Sequence, residues 1–524
     1  MEYKNFTELN TYNKLNALSP LNLKEGLNKE RIEECQIKNG SQLSYSYAAM
    51  PINEKHIEIM QELSDEQSLI EKYKTLLNGE RINTGENRCV LHQLTRGQIL
   101  DDVVVDGENK GEFYKSQLAR IKDFSEAVRS GKIKGSTNKN FNTVVQIGIG
   151  GSDLGPRALY LALKGYCIAQ KKQIIDAKFI SNVDPDDVSD VIKDIDFETT
   201  LFVLVSKSGT TQETLTNRDL VFDALKSCNI VGFDPSKHMI AVTSKTSPLA
   251  NSKQVLSAFF IDDYIGGRYS STSAVGATIL SIALGFETFN ELLEGAHEAD
   301  INALNPNIKE NASLMDALIG VYLRNVLKIP STAVLPYSQA LSRFPAHLQQ
   351  LDMESNGKHV NRFGESINYQ TGPTIFGEPG TNGQHSFYQL LHQGTDIVPL
   401  QFIGFKKSQF EKDITVDNST SQEKLNANLT AQIVAFAIGK DDTNPNKQFE
   451  GNRYSSLISA EQLTPKTLGA LLAHFENKVM FQGFIWNLNS FDQEGVQLGK
   501  ILAKKVLNGC EGDELLLAYS ALLK

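Results

Sequence analysis

The stretch TVVQIGIGGSDLGP, residues 143–156, indicates the fold class, because a run of β-branched residues leads directly into a cluster of glycines. Four more apolar runs follow, separated by helical patterns: AKFISNV (177–183), TLFVLVS (200–206), MIAVTS (239–244) and SAFFI (257–261). Alternation of short strands with helices is typical of a parallel sheet with crossover helices. We therefore predict such a sheet in this part of the chain.

A second set of patterns lies beyond Asn290, with STAVLP (331–336) and DIVPLQFIGF (396–405) as candidate strands and helical patterns at 312–325, 421–440 and 493–507. A chain of 524 residues exceeds what one core usually supports. We predict an α/β fold of two unequal domains, each with a central, mainly parallel sheet flanked by helices, and a ligand at the carboxyl ends of the strands. The predicted parts are an N-terminal helical extension that packs on the larger domain (1–110), the smaller domain (111–287), the larger domain (288–510) and a C-terminal helix (511–524).

The composition and charge of the chain argue against several classes of protein. The net charge of -10 argues against a broad surface for nucleic acid or an anionic membrane. Five scattered cysteines without CxxC spacing fit reduced thiols better than a disulfide frame or a zinc site. The N-terminus MEYKNFTELN lacks the basic and apolar parts of a secretory signal, and the apolar stretch at 275–286 is too short to span a bilayer. We expect a cytoplasmic protein.

The glycines at 148, 150, 151 and 155, together with Ser152, follow the first strand. Glycines let the backbone approach a ligand, and amides at a helix start attract anions. A dinucleotide fingerprint is excluded because its third glycine would fall at Asp153. Ligand contact and a merely tight turn both remain open for this loop.

The segment LVSKSGTTQET, residues 204–214, also joins a strand to a helical pattern. It carries five hydroxyls, on Ser206, Ser208, Thr210, Thr211 and Thr214. It lacks the order of a P-loop. A helix N-terminus with several hydroxyls can hold a phosphate monoester, whereas a helix cap needs only one. The segment therefore favours phosphate binding over capping alone.

Two further segments carry charged candidates. GGRYSSTSAVG (266–276) places Arg268 after two glycines, where it could neutralise an oxyanion or phosphate, or could be a surface charge. In QQLDMESNGK (349–358), Gln350 and Glu354 are four apart and share a helix face. Glu354 is either a solvated acid at a helix end or a positioned base.

The last two segments carry histidines and a lysine. GEPGTNGQHSFYQLLHQGT (377–395) brings His385 from a Gly-rich loop into a helix that also carries His392. No HExxH motif or carboxylate cluster accompanies them, so we expect one catalytic and one structural histidine and no metal. FDQEGVQLGK (491–500) puts Gln493 and Lys500 seven apart, on one predicted helix face. Such a pair could reach one ligand or simply lie at the surface.

Together, in this order, and with ENRCVLHQLTR (86–96), these segments resemble the glucose-6-phosphate isomerase family from about residue 80 to about residue 505. The resemblance implies interconversion of glucose 6-phosphate and fructose 6-phosphate, a step of glycolysis and gluconeogenesis, through a cis-enediol and without a cofactor. It also implies a homodimer with shared active sites, Glu354 and Arg268 coming from one subunit and His385 from its partner.

The resemblance assigns a role to each candidate residue. It implies that Glu354 is the base that takes the proton from C2 and returns it to C1. It also implies that His385 with Lys500 assists ring opening and that Arg268 stabilises the enediolate. The phosphate loop comprises Ser206, Lys207, Ser208, Thr211 and Thr214, and the residues lining the sugar are Gly151, Ser152, Gln350 and Gln493.

Two alternatives belong to other classes. Related domains also occur as phosphosugar sensors, but a sensor needs the phosphate loop and no base, so the presence of Glu354, His385 and Lys500 together argues against one. An aminosugar-phosphate isomerase would normally carry a glutamine-hydrolysing domain with an N-terminal cysteine, and here Met1 is followed by Glu2.

Overall fold

The computed structural model describes residues 2–40 and 42–523. Asparagine side chains begin several helices, because Asn22, Asn28, Asn53 and Asn109 each accept a hydrogen bond from a backbone N–H of the first turn. The helices and strands before residue 110 are α1 (Asn10–Asn16), α2 (Leu23–Gly26), α3 (Lys29–Glu34), β1 (Gln36–Asn39), β2 (Leu43–Ser46), α4 (Glu54–Glu66), α5 (Leu69–Leu77), β3 (Val104–Val105) and β4 (Glu108–Asn109).

The N-terminal segment contains the expected helices, and it also contains strands that the sequence did not predict. Strands β1 and β2 pair with each other and extend a sheet formed by residues more than 280 positions later, with Ser46 opposite Leu457 in antiparallel register. Each of these strands has only four residues, which is too short for alternation to stand out in the sequence. Part of this segment is therefore built into the second sheet.

The first predicted sheet is confirmed as a five-stranded parallel sheet in the order β6-β5-β7-β8-β9. This order reverses direction between β5 and β7, and ligands of open α/β sheets bind outside the carboxyl ends of the strands at such a point. The elements of this region are α6 (Lys110–Arg129), β5 (Thr143–Ile147), α7 (Leu154–Ala169), β6 (Asp176–Ile180), α8 (Pro185–Ile192), β7 (Thr200–Val205), α9 (Gln212–Lys226), β8 (Met239–Thr243), β9 (Ala258–Phe260) and α10 (Ala274–Leu284).

Both faces of this sheet are covered by helices, since alternate strand residues enter different cores. Val145 and Ile147 pack with residues of α8 and α9, whereas Val144 packs with residues of α6, α7 and α10. Every residue of β7 is buried, as expected for a central parallel strand.

The second sheet has six strands in the order β1-β2-β15-β12-β10-β11, parallel except at β1 and β2. It confirms the prediction of a mainly parallel sheet. The elements of this region are α11 (Phe286–Asn302), α12 (Ala312–Asn325), β10 (Ser331–Pro336), α13 (Phe344–Gln349), β11 (Thr374–Phe376), α14 (Tyr388–Gln393), β12 (Leu400–Lys407), β13 (Thr415–Val416), β14 (Ser419–Thr420), α15 (Ser421–Ile438), β15 (Ser455–Gln462) and α16 (Pro465–Ile485).

Helix α16 joins the two halves of the molecule. It packs against α11 and α12, and nearly all of its residues are buried. A helix that is buried on all sides has no separate exposed polar face, and for this reason the sequence pattern did not reveal it. The same core contains residues of α10 from the first half and of β12 and β15 from the second, so the two sheets share one continuous interior.

Residues 494–523 form an arm, with α17 (Gln497–Leu507) and α18 (Glu514–Ala521). Within the described part of the chain, the hydrogen bonds and ion pairs of the arm stay inside it. Leu498, Ile501, Leu515 and Leu522 are each more than 60 % exposed. The predicted domain boundaries at 110/111, 287/288 and 510/511 stay a prediction, although α17 packs with the arm and not with the second sheet.

None of the helices within residues 2–40 and 42–523 has the length and apolar character needed to cross a lipid bilayer.

Candidate active site

The two loops that the sequence analysis singled out lie side by side at the reversal point of the first sheet. Residues 148–153 follow β5 and residues 206–211 follow β7, and β5 pairs directly with β7. Both loops leave the carboxyl ends of their strands, where a ligand is expected in this architecture.

Gly151 holds the first loop against the segment that carries Arg268. A Cβ atom on Gly151 would lie 2.2 Å from the backbone oxygen of Gly267, so a side chain cannot be accommodated there. The hydroxyl of Ser270 lies 3.3 Å from the backbone oxygen of Gly151. The loop is thus a tight packing element, and contact between Ser152 and a ligand stays a prediction.

The phosphate loop folds around its own hydroxyls. The Oγ atom of Ser206 accepts a hydrogen bond of 3.1 Å from the backbone N–H of Gly209 and lies 3.1 Å from Oγ1 of Thr211. Gly209 has φ of +68°, a conformation that favours glycine. Ser208 Oγ accepts a hydrogen bond from the backbone N–H of Thr210 at 3.2 Å.

Helix capping does not account for the hydroxyl of Thr211. Thr211 is the N-cap residue of the 15-residue helix α9, yet its side chain makes no capping hydrogen bond. Thr214, in the first turn, is buried, and its Oγ1 atom has no hydrogen-bond partner among the described residues. Together with the positive end of the helix dipole, these groups have the chemistry that an anion site requires.

Lys207 supplies a cation at the same place. Its Nζ atom donates to the backbone oxygen of Ile265 at 3.3 Å and lies 3.9 Å from a carboxylate oxygen of Asp263. Burial lowers the pKa of Lys207, and Asp263 opposes this shift in part. A bound phosphate dianion would favour the charged lysine.

Arg268 is buried, with 1 % of its surface exposed, so the alternative of a surface charge is excluded. It lies in the 3-10 turn Gly267–Thr272. Its Nε donates to Ser355 Oγ at 2.7 Å, and its Nη2 donates to the backbone oxygens of Ser490 at 2.6 Å and Asp492 at 2.9 Å. The guanidinium is held on several sides, as a fixed electrostatic group should be.

Glu354 faces this guanidinium, with 3.6 Å between Glu354 Oε2 and Arg268 Nη1. Its side chain is only 18 % exposed, which contradicts the alternative of a solvated acid at a helix end. Oε2 is buried and has no hydrogen-bond partner among the described residues. A buried carboxylate oxygen with a free lone pair beside a fixed cation is suited to accept a proton from a bound ligand.

The helix that carries Glu354 ends in a π-helical segment, Gln350–Glu354, directly after α13. π-Helical segments are rare in proteins as a whole, and those that occur frequently lie at functional sites. Gln350 Nε2 lies 3.3 Å from the position that a Cβ atom on Gly150 would occupy, and Gln350 Oε1 has no partner among the described residues. Gln350 therefore joins the glycine loop to the wall formed by Arg268 and Glu354.

Sequence analysis missed the residues that hold this wall. Tyr269 Oη lies 3.0 Å from Ser355 Oγ, the atom that also contacts Arg268. Lys358 forms an ion pair with Asp492, whose backbone oxygen accepts from Arg268. These residues flank the candidates in the segments already singled out, but their side chains gave no signal of their own.

Three predicted residues are not brought to this wall. His385 ends the 3-10 turn Asn382–His385 and is exposed, as are Gln493 and Lys500. Within the described residues, no hydrogen bond or ion pair joins any of them to Arg268 or Glu354. The prediction that Gln493 and Lys500 share a helix face is wrong, because Gln493 has φ of −146° and ψ of 44° and α17 begins only at Gln497.

His392 has the surroundings expected of a structural histidine. Its ring stacks on Phe436 with 3.7 Å between the ring centroids, and its Nε2 lies 2.9 Å from Gln432 Oε1. Burial lowers the pKa of His392. The two histidines of this segment therefore differ, one being exposed and one packed.

Comparison with known proteins gives a consistent result. The family described as Phosphoglucose isomerase matches residues 46–521. A glucose-6-phosphate isomerase of Treponema denticola is 62 % identical over 518 residues, which is 97 % of each chain, and one of Borreliella burgdorferi is 51 % identical over 524 residues, covering 99 % of this chain and 98 % of the relative. The crystal structure of a glucose-6-phosphate isomerase from Chlamydia trachomatis superposes with a TM-score of 0.93 at 41 % identity, covering 99 % of this chain and 100 % of the other.

Proposed function

The chain belongs to the phosphoglucose isomerase family, and on this premise we propose how its residues interconvert D-glucose 6-phosphate and D-fructose 6-phosphate. The enzyme is an aldose–ketose isomerase of glycolysis and gluconeogenesis. The observation that carries the residue assignment is the buried, unpartnered Oε2 of Glu354 beside the fixed guanidinium of Arg268.

Binding starts at the phosphate. Its oxygens would accept from the hydroxyls of Ser206, Ser208, Thr211 and Thr214 and from amides at the start of α9, with Lys207 as the nearby cation. This end of the sugar takes no part in the reaction, so its binding energy serves to hold C1 and C2 in position. Gly151, Ser152, Gln350 and Gln493 are proposed to line the sugar.

The proposed chemical steps then take place at the wall formed by Arg268 and Glu354. Glu354 takes the proton from C2 of the open-chain aldose and returns it to C1, so the carboxylate is regenerated in each turnover. The electron pair released at C2 moves onto the oxygen at C1, where Arg268 stabilises the negative charge of the enediolate. The proton of the C2 hydroxyl passes to the neighbouring oxygen at C1, so that protonation of C1 leaves the carbonyl at C2. His385 and Lys500 are proposed to move the proton at the ring oxygen in the preceding ring opening. No cofactor or metal enters this sequence of steps.

We propose that the active form is a homodimer with shared sites, Glu354 and Arg268 coming from one subunit and His385 from its partner. Two features support this proposal. His385 is exposed on a loop held by the larger sheet, because Gly380 N donates to Pro336 O at 2.9 Å, at the end of β10. The apolar side chains of the arm are exposed and face no other part of the described chain, and a second copy would cover them.

The remaining partner and compartment assignments are also proposals. The net charge of -10 disfavours binding to nucleic acid. The five free thiols suit the reducing cytoplasm.

A coupled assay in both directions tests the function. Glucose 6-phosphate and fructose 6-phosphate are each offered to the purified chain, and appearance of the other sugar phosphate is followed. A Glu354→Gln variant serves as the matched control for contaminating isomerase. A folded chain without activity in either direction would leave only the sensor alternative.

A further inference from the structure

A cavity of about 30 Å³ with both polar and apolar walls lies behind the π-helical segment that carries Glu354. The polar side chains in its lining include those of Asp316, Asp352, Gln401, Ser456, Lys478 and Gln482. About 10 to 15 Å³ of such space is enough for one water molecule, and a buried water needs two to four polar partners, which these side chains can supply.

Asp352 is the unusual member of this lining. It is 6 % exposed, and the Oδ1 atom of its carboxyl is buried without a hydrogen-bond partner among the described residues. It lies two residues before Glu354 in the π-helical segment and has no part in the proposed chemistry. A buried carboxyl without a partner is costly, so this group calls for an explanation.

The other acid of the cavity is fully paired. Asp316 Oδ1 contacts Lys478 Nζ at 3.1 Å and accepts from Tyr45 Oη at 3.2 Å, and its Oδ2 accepts from Gln401 Nε2 at 2.6 Å and lies 3.0 Å from His474 Nε2. These contacts, above all the charge of Lys478, hold the pKa of Asp316 below its usual range against the effect of burial. Lys478 is thereby neutralised by Asp316 and not by Asp352.

Two other groups of the lining are unpartnered among the described residues, namely Ser456 Oγ, which can donate or accept, and Gln482 Oε1, which only accepts. Lys478 Nζ uses two of its three donors, on Asp316 and on Gln401 Oε1 at 3.1 Å. A neutral carboxyl supplies an O–H donor, whereas a carboxylate only accepts. Water can bridge Ser456, Gln482 and Asp352, and a neutral Asp352 adds a donor to this group, whereas a charged Asp352 would add only acceptors.

We propose that this cavity holds internal water and that Asp352, as a neutral carboxylic acid bonded to that water, is a positioning residue for the base Glu354. The proposal rests on the role assigned to Glu354 under the proposed function. The water anchors the π-helical segment to α12 and α16, which keeps Glu354 Oε2 in line with Arg268. A shift of about 1 Å at a catalytic group can lower the rate roughly 10²-fold.

The charges around Asp352 agree with a neutral form. Burial raises the pKa of Asp352 to about 7, Asp316 adds to this shift, and Lys478 opposes it. The elements packed around it also carry the following charged or titratable groups: Arg268 and Tyr269 on the 3-10 turn, Tyr322 and Arg324 on α12, His347 on α13, and Lys466, His474 and Glu476 on α16. Arg324 is occupied, since its Nε donates to the backbone oxygen of Thr371 at 2.7 Å.

Two substitutions at this position separate the neutral from the charged form. Asp352→Asn keeps the shape, a donor and an acceptor without charge, so its kcat should stay within about threefold of wild type. Asp352→Leu keeps the volume without hydrogen bonds and should lower kcat roughly 10²-fold. Inhibition by inorganic phosphate, which probes the phosphate loop, should be unchanged in both. Wild-type kcat in both variants, or an equal loss in both, would overturn the proposal.

A measurement without substrate separates this proposal from the proposed function. Because the pKa of Asp352 is raised from about 3.9 in the unfolded chain to about 7 in the fold, the folded state binds the extra proton between these values. The free energy of unfolding of wild type should therefore fall relative to Asp352→Asn as pH rises through this window and level off above about 7. Parallel curves would overturn the proposal even if the chain is an active isomerase. If the chain were inactive as an isomerase, these curves would still test whether Asp352 is neutral in the folded state.

Should Asp352→Leu fail to fold, Gln482→Met on the opposite wall takes its place. It removes the acceptor Oε1 with little change in volume and leaves the helix of Glu354 untouched. Lower kcat with unchanged inhibition by inorganic phosphate would support the water-mediated anchor, and wild-type kcat would contradict it. The matched control is Ser455→Ala, which removes another buried, unpartnered hydroxyl outside the cavity and should leave kcat unchanged.

Discussion

The two halves of the proposed active site are built differently. Arg268 is buried and bound to three neighbouring groups, and Glu354 lies beside it with its Oε2 atom buried. His385, Gln493 and Lys500 are exposed and contact neither of them. One half is complete within a single chain, and the other consists of side chains that project from a loop and from the start of the arm.

This difference suggests that the two halves serve different steps of the reaction. The groups proposed to stabilise charge and to move the proton between carbons are held in fixed positions within one chain, where they need not rearrange. The groups proposed for ring opening are on surface segments, which a rigid scaffold or a partner must position.

Glu354→Gln tests the buried half. The substitution keeps the size of the side chain and removes the base, so kcat should fall by roughly 10² to 10⁴. Inhibition by inorganic phosphate should stay at its wild-type value, because the phosphate loop is formed by other residues. Steady-state kinetics in both directions measures both quantities. A variant that kept more than about a tenth of wild-type kcat would show that Glu354 is not the base.

A mixed dimer tests whether the halves come from different chains. A Glu354→Gln chain is co-expressed with a His385→Ala chain under different affinity tags, and the doubly tagged dimer is purified. If sites are shared, one site receives both defects and the other neither, so activity should return to about half that of wild type. If each site belongs to one chain, the mixed dimer will be no more active than its parents.

The arm provides a test of assembly away from the catalytic residues. Replacing Leu515 and Leu522 by Ser should weaken a dimer that buries them by about 3 kcal/mol or more, roughly 10²-fold in the dissociation constant. Sedimentation at several concentrations measures this constant. Val231→Ser removes an exposed side chain from the small domain and is the matched control. A dissociation constant unchanged in the arm variant would mean that the arm does not cover a second copy.

Thr211→Ala tests the phosphate loop, with the smallest expected effect. A hydrogen bond to a charged group contributes about 1.5 to 3 kcal/mol, so affinity for a phosphosugar inhibitor should fall roughly tenfold or more, with a smaller change in kcat. Thr199→Ala removes a hydroxyl at the other end of the same strand, where it donates to Asp196 O at 3.2 Å, and should have no effect. Equal inhibitor affinity in the Thr211→Ala and Thr199→Ala variants would mean that the hydroxyl of Thr211 does not bind the phosphate.

Local patterns predicted the parts of the fold that are regular over many residues. The strands after Thr143 and Ser331 and the helix at 312–325 agree with the structure, because each repeats one periodicity. Strands β1 and β2 were missed because they are short, and α16 because it is buried all round. The segment 204–214 was predictable as a strand-to-helix loop rich in hydroxyls, since these hydroxyls lie together in the sequence, and its role in phosphate binding stays a prediction.

The sequence by itself determined which residue types stand at the ends of the strands, and the motif order that identifies the family. Only the tertiary structure decided between the alternatives at Arg268 and Glu354, because burial depends on what packs from distant parts of the chain. Ser490 and Asp492, more than 220 residues away, hold Arg268, and α12 and α16 enclose the cavity behind Glu354. The sequence shows the same residue type whether a glutamate or an arginine lies in solvent or in the protein interior. The neighbouring groups in the fold determine its chemistry.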